Sequence, residues 1–317
     1  MTDRRTQPVV LVGGPTASGK SALAVALAES FAGTVINADS MQVYRDLRVL
    51  TARPGPDELT RAPHRLYGVL PAEDVCSAAR WRDLAVAEIA DAHAAGRLPI
   101  LVGGTGLYLR TLTEGIVELP EIPGDLRSEA RALCERIGAP ALHARLAARD
   151  PVMARRLAPG DRQRLIRAWE VIEATGRSLA DWQAAAPAVA PGLEFASVVL
   201  LPPRAAVYAA CDKRFDAMLA AGALDEVGAL VARGLDPDLP AMKALGVPAL
   251  RAHLRGELSL EEAAAKARQA TRNYAKRQST WFRHQMPGAR IWNEKFSERF
   301  LDEIFSFIRQ FLLTGAR

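Results

Sequence analysis

The sequence predicts an α/β protein whose core is a parallel sheet carrying a phosphate-binding loop, interrupted by a helical insertion domain. Three observations carry this. The apolar run Val9-Val10-Leu11-Val12 leads through Gly13-Gly14-Pro15-Thr16-Ala17-Ser18-Gly19-Lys20-Ser21 into the Ala-rich stretch Ala22 to Ala28, the order strand, loop, helix. Apolar, β-branched segments recur at Thr34 to Ala38, Pro99 to Val102, Ser197 to Leu201 and Ala289 to Trp292, most of them separated by helical patterns, which is the signature of a parallel sheet. Between the third and fourth of these five strands lies a connection of about eighty residues, too long for a simple crossover.

Taken in order, Gly14 to Ser21 fits G-x-x-x-x-G-K-[ST], the loop of NTPases and kinases. Its backbone N–H groups and the following helix N-terminus suit phosphate oxygens. The phosphate-binding set is therefore Gly14, Pro15, Thr16, Ala17, Ser18, Gly19, Lys20 and Ser21, with Lys20 as point charge and the Ser21 hydroxyl as ligand for Mg2+. The second strand delivers Asp39-Ser40-Met41-Gln42 to the same sheet edge, since open α/β sheets bind ligands at the carboxyl ends of their strands. The third strand ends in Gly103-Gly104-Thr105-Gly106 rather than in the Asp that an NTPase strand offers to magnesium, and Thr105 fits either a helix cap or a ligand contact. The long connection reads as helices over Asp125 to Ile137, Pro140 to Arg149, Asp161 to Thr175 and Leu179 to Ala185. With Pro120/Pro123 and Pro187/Pro191 as hinges, residues 120–195 form the insertion, and 1–119 with 196–317 the catalytic core. Helices follow at Arg204 to Ala221 and Leu224 to Arg233, closed by Gly222 and Gly234. The capping box Ser259-Leu260-Glu261-Glu262 opens a long helix to about Gln285, and Glu298 to Leu313 packs as the last one.

Composition bounds the function. The 317 residues are about half hydrophobic, enough for a full core without staples. No stretch approaches about twenty apolar residues, and Met1 to Arg5 leads directly into the first strand, so a cytoplasmic protein with no membrane partner is expected. Three widely spaced cysteines and five histidines without ligand spacing indicate neither a disulfide framework nor a zinc site. Net charge is +5, but it is uneven: Ala263 to Asn293 holds no Asp or Glu and carries Lys266, Arg268, Arg272, Lys276, Arg277, Arg283 and Arg290. A second basic concentration runs from Arg127 to Arg177. Such stretches are solvated helix faces or polyanion contacts. With no heptads and no exposed apolar stripe, a monomer is expected.

Five ordered stretches, Gly14 to Ser21, Asp39 to Tyr44, Gly103 to Tyr108, Gln163 to Arg167 and Lys276 to Arg283, together resemble the bacterial tRNA dimethylallyltransferase family over nearly the whole chain. The resemblance implies transfer of a dimethylallyl group from dimethylallyl diphosphate to the N6 amino group of an adenosine next to the tRNA anticodon, with diphosphate released and Mg2+ assisting. It implies that Asp39 is the general base, that Thr105 stands where diphosphate and target nucleotide meet, and that Arg214 reaches the diphosphate; the alternative for Arg214 is a surface helix arginine. It assigns contact with the tRNA anticodon stem-loop to Asp39, Ser40, Met41, Gln42, Thr105, Arg127, Gln163, Arg164, Leu165, Ile166, Arg167, Lys243, Gly246, Lys276, Arg277, Gln278, Trp281 and Arg283, although Leu165 and Ile166 by themselves read as core. One departure stands out: in Met242 to Pro248 the family's Tyr and basic positions are Val247 and Pro248. Two alternatives share the loop. A small-molecule kinase is opposed by the absent strand-end Asp, and a prenyltransferase of free adenine nucleotides by the basic insertion, which a mononucleotide does not need.

Overall fold

The structure is a computed structural model that describes residues 6–117, 119, 121–184 and 192–314. The chain divides into two compact units, Met1–Thr113 with Ala190–Arg317, and Glu114–Val189.

The larger unit is built on strands β1 (Gln7–Gly13), β2 (Gly33–Asn37), β3 (His64–Arg65), β4 (Leu98–Gly103), β5 (Leu193–Leu200) and β6 (Arg290–Trp292). They form a parallel sheet in the order β3-β2-β4-β1-β5-β6. The crossovers are helical: α1 (Lys20–Ser30), α2 (Pro56–Arg61), α3 (Ala78–Ala94) and α4 (Gly106–Thr113). In β1 the side chains alternate between faces, as the two-residue strand period requires. Val9 and Leu11 join one core layer with Tyr44, Trp81 and Phe282, while Val10 and Val12 join the other with Leu23, Leu27, Ile304 and Ile308. Both layers are apolar because a parallel sheet is covered on both sides.

In the second unit, α5 (Gly124–Ile137), α6 (Ala139–Arg149), α7 (Pro151–Arg156), α8 (Arg162–Thr175) and α9 (Leu179–Gln183) enclose their own core of Leu142, Leu146, Leu165, Ala168 and Val171. Helix α7 escapes the sequence reading because it is a single short turn set by Pro151 and capped by Asp150, whose carboxylate accepts from the Met153 N–H at 3.0 Å. The two-residue β3 escapes for the same reason of length. Of the expected hinges, Pro123 caps α5, while Pro120, Pro187 and Pro191 lie outside the described residues. The boundary at residue 196 is corrected: Leu193, Glu194 and Phe195 already pair with Gln7, Pro8 and Val9 and so belong to the sheet.

The larger unit then continues through α10 (Arg204–Ala220), α11 (Ala223–Ala232), α12 (Val247–Leu254), the 26-residue α13 (Leu260–Gln285) and α14 (Leu301–Thr314). Ser259 and Glu262 close the capping box of α13, Ser259 Oγ accepting from the Glu262 N–H at 3.2 Å and Glu262 from the Ser259 N–H at 2.8 Å. Arg268 and Arg272 do not form a free basic face. They donate to Asp216 at 3.0 Å and to Asp212 at 2.7 Å on α10, so the charge of the acid-free helix is partly neutralised by its neighbour.

Candidate active site

The carboxyl ends of β1, β2 and β4 bring three loops together. After β1 the chain turns through Ala17 (φ 64°) and Gly19 (φ 93°), and the left-handed conformation at Gly19, which costs a glycine nothing, starts α1 at Lys20. Inside the turn the Ser18 hydroxyl is fully buried and finds no hydrogen-bond partner. Such an orphaned buried polar atom costs about 1–3 kcal/mol unless a ligand oxygen pairs with it. Lys20 Nζ donates to the Pro15 carbonyl at 3.3 Å. Burial pushes its ammonium down from 10.5 to about 8, with Asp39 opposing that shift and Arg214 adding to it. Arg214, on α10, donates to the Thr16 hydroxyl, and burial pushes its guanidinium down too. Two half-buried cations that feel each other's charge, neither bonded to a carboxylate among the described residues, suit an anion.

Asp39 is held by Asn37, which is fully buried. Asn37 Oδ1 accepts the Asp39 N–H at 2.8 Å, and its Nδ2 donates to the carbonyls of Asp39 (3.0 Å) and Leu66 (3.1 Å). One Asp39 carboxylate oxygen accepts the Met41 N–H at 2.9 Å. Thr105 does not cap α4 with its hydroxyl: the oxygen accepts the Ser40 N–H at 3.0 Å and donates to Ser40 Oγ at 3.3 Å, tying the β4 loop to the Asp39 turn.

The Thr16, Asp39, Ser40 and Arg214 members of this set open into a cavity of about 260 Å3. Asp39, Thr16 and Arg214 line it together with Met41, Leu50, Phe215, Met218 and Leu245, so a polar end adjoins an apolar wall. Tyr274 and Arg277 of α13 complete the lining. Burial, with Asp39 adding to it, keeps the Tyr274 hydroxyl protonated far above its usual range.

The IPP transferase family model matches residues 42–285. The chain belongs to this family. Among its relatives, the tRNA dimethylallyltransferase of Rhodospirillum centenum is 64% identical over 286 residues, covering 90% of this chain and 91% of that one. The tRNA dimethylallyltransferase of Paramagnetospirillum magneticum is 57% identical over 99% of this chain and 100% of its own. Two solved structures are similar. The full-length tRNA isopentenylpyrophosphate transferase of Bacillus halodurans has a TM-score of 0.70 at 33% identity over 98% of both chains. A eukaryotic dimethylallyltransferase acting on tRNA has a TM-score of 0.77 at 25% identity, covering 96% of this chain and 80% of that chain.

Within this family frame the expected tRNA residues separate by exposure. Gln163 and Arg164 are exposed on α8, Lys276, Arg277 and Arg283 on α13, and Lys243 is exposed beside the cavity, paired to Asp238 at 2.7 Å. Arg127 on α5 has its Nε buried without an acceptor, and Arg167 pairs with Glu170 at 3.1 Å. Ser21 is exposed in the first turn of α1. Leu165 is corrected: it is fully buried in the helical unit, and Ile166 packs against the same core, so the Leu165 side chain has no surface to offer. Gln278 is corrected as well, being 5% exposed and bonded inside the protein. Trp281 is half-buried, its indole lying where a Cβ at Gly106 would fall. Gly246 packs against Leu50 and Phe215. Gln42 donates its amide to the Thr51 and Ala52 carbonyls at 2.8 and 2.9 Å, fastening the loop that brings Leu50 to the cavity. Val247 is fully buried at the first position of α12, so the departure there falls on a core position, and Pro248 follows in the first turn, where proline is tolerated.

The sequence reading misses Asn37, the apolar wall and Glu226. That carboxylate, on α11, accepts the N–H groups of Arg48, Val49 and Leu50 at 2.6, 2.7 and 2.9 Å and holds the same cavity loop. Only an acid in the first turn of a helix hinted at the last of these.

Proposed function

We propose that this chain transfers a dimethylallyl group from dimethylallyl diphosphate to N6 of an adenosine next to the anticodon in tRNA, releasing diphosphate. The observation that carries the reading is that Asp39, the proton acceptor, lines one cavity with Thr16 and Arg214 of the anion grip and with an apolar wall. An apolar wall next to that base suits a branched five-carbon donor.

In the transfer the carbon–oxygen bond of the donor breaks, its electron pair leaving on the diphosphate, and the N6–carbon bond forms as the amino group gives its proton to Asp39. The loop N–H groups, Lys20, Arg214 and the orphaned Ser18 hydroxyl stabilise the charge that develops on the leaving oxygens. The adenine amino group is a weak nucleophile, so proton acceptance by Asp39 contributes about a hundred- to ten-thousandfold. Thr105, through Ser40, keeps the Asp39 turn in register with the β4 loop.

Magnesium fits this site. Mg2+ is usually held by one or two protein oxygens, waters and substrate phosphates rather than by a carboxylate cage. Among the described residues no cluster of three His, Cys, Asp or Glu could hold a metal, and the Ser21 hydroxyl at the start of α1 is exposed beside the phosphate loop. When bound through Ser21 it would neutralise charge on the departing diphosphate.

The exposed cations of α8 and α13 suit an RNA backbone, and the target nucleotide has to leave its stack to reach Asp39, at about a few kcal/mol that phosphate contacts offset. A monomer acting in the cytoplasm completes the proposal; no helix among the described residues is long and apolar enough to cross a membrane. Presenting unmodified tRNA, free AMP and small-molecule alcohols with ATP as competing acceptors tests it. Labelled dimethylallyl should pass to tRNA alone. Equal labelling of AMP, or phosphoryl transfer from ATP, would remove the reading.

A further inference from the structure

Helix α13 carries two kinds of side chain in one short stretch. Lys276, Arg277 and Arg283 face solvent, whereas Gln278, Trp281 and Phe282, spaced three and four residues apart, share the opposite face. That inner face is applied to the loops of the active site. The Gln278 Oε1 accepts the Thr16 N–H at 2.9 Å, and its Nε2 donates to the Gly104 carbonyl at 2.8 Å. The Trp281 indole occupies the place a Cβ would need at Gly106, and the Phe282 ring lies against Gly13. One amide therefore spans the loop after β1 and the loop after β4, which are 262 and 174 residues away from it in sequence.

We propose that Gln278 is a positioning residue for the donor site: it fixes the phosphate loop against the Gly104–Thr105 loop, instead of touching tRNA. The inference rests on the functional reading above, and it assigns a different task to a residue that lies amid exposed tRNA-type cations. Thr16 is gripped from both sides, its N–H by Gln278 and its hydroxyl by Arg214. The amide thereby sets where the rest of the loop N–H groups and the Ser18 hydroxyl point. On the other arm it holds Gly104, next to Thr105 and so to the Ser40 contact that keeps Asp39 in place. Both ends of the reaction, leaving group and base, are registered through one side chain.

The experiment replaces Gln278 by Met, which keeps the length and removes both bonds. Binding of inorganic diphosphate is measured by calorimetry, tRNA binding by filter retention, and turnover at saturating tRNA. Two buried bonds lost should weaken diphosphate binding about tenfold or more and raise the donor KM in step, with kcat lowered and the tRNA dissociation constant within about twofold of wild type. A variant that binds diphosphate normally but loses tRNA would make Gln278 an RNA contact and overturn the proposal. Should Gln278→Met not fold, amide exchange in the unliganded wild-type protein decides: the Thr16 amide should be protected before any anion is added, and free exchange there would overturn the proposal as well. A wild-type protein that binds diphosphate yet prenylates no tRNA would defeat the functional reading and leave this test intact.

Discussion

Replacing Lys20 by Met should make the unliganded protein more stable while weakening its hold on the donor. Burial holds the Lys20 ammonium near 8 in the folded protein, against an ordinary 10.5. Below pH 8 the lysine is charged in both states, and the folded state bears the full cost of keeping that charge dry. At roughly 1.4 kcal/mol per tenfold in proton affinity the displacement is worth up to about 3 kcal/mol. Between pH 8 and 10.5 the unfolded chain still binds the proton that the folded chain has released, so wild-type stability rises with pH; above 10.5 both states are neutral and the cost is gone. Denaturant melts of Lys20→Met and wild type from pH 7 to 10.5 should therefore show the variant ahead at pH 7, by about 1–3 kcal/mol after loss of the Pro15 contact, and level at the alkaline end. Groups remote from Lys20 titrate alike in the two proteins, so the difference reports Lys20 together with the Cys211 thiol that its charge touches. Adding diphosphate should reverse the order, since only wild type gains a charge-assisted bond, and ligand binding stabilises the folded state. A variant less stable than wild type at pH 7, or an advantage that does not fade with pH, would refute the reasoning.

Asp39→Asn should lower kcat by about a hundredfold or more in single-turnover prenyl transfer while the tRNA dissociation constant changes little. Leu165→Ala should cost about 2–5 kcal/mol in melts of the full chain, as a core cavity does, whereas Gln163→Ala should leave the melt alone and weaken tRNA. Glu226→Gln removes the carboxylate that accepts three backbone N–H groups; exchange at the Arg48, Val49 and Leu50 amides should accelerate and the donor KM rise, with unchanged exchange counting against the clamp. Raising salt should weaken tRNA binding steeply and linearly on a log–log plot, and a flat line would exclude phosphate contacts by the exposed cations of α8 and α13.

Much of the site is legible in the sequence because its chemistry is local. Gly14 to Ser21 forms strand, loop and helix from adjacent residues, and Asp39 and Thr105 each follow a strand whose apolar run marks the sheet edge. The parallel sheet is legible for the same reason, each strand being a short apolar run between helices. What stays hidden depends on distant partners. Gln278 looks like its cationic neighbours until the 2.9 Å bond to Thr16 is seen, and Arg268 and Arg272 look free until α10 supplies Asp216 and Asp212. Leu165 sits in a basic run, yet an amphipathic helix buries such a residue once a neighbouring helix covers that face. Asn37 is a polar residue inside a strand, and only the turn at Asp39 explains why burying it is tolerated.

The decisive event is what happens to an adenine amino group in this cavity. Incubating the purified chain with unmodified tRNA, dimethylallyl diphosphate and Mg2+, then digesting the RNA and weighing its nucleosides, should yield an adenosine heavier by one dimethylallyl group and an equivalent of free diphosphate. An unchanged adenosine alongside intact donor would contradict it.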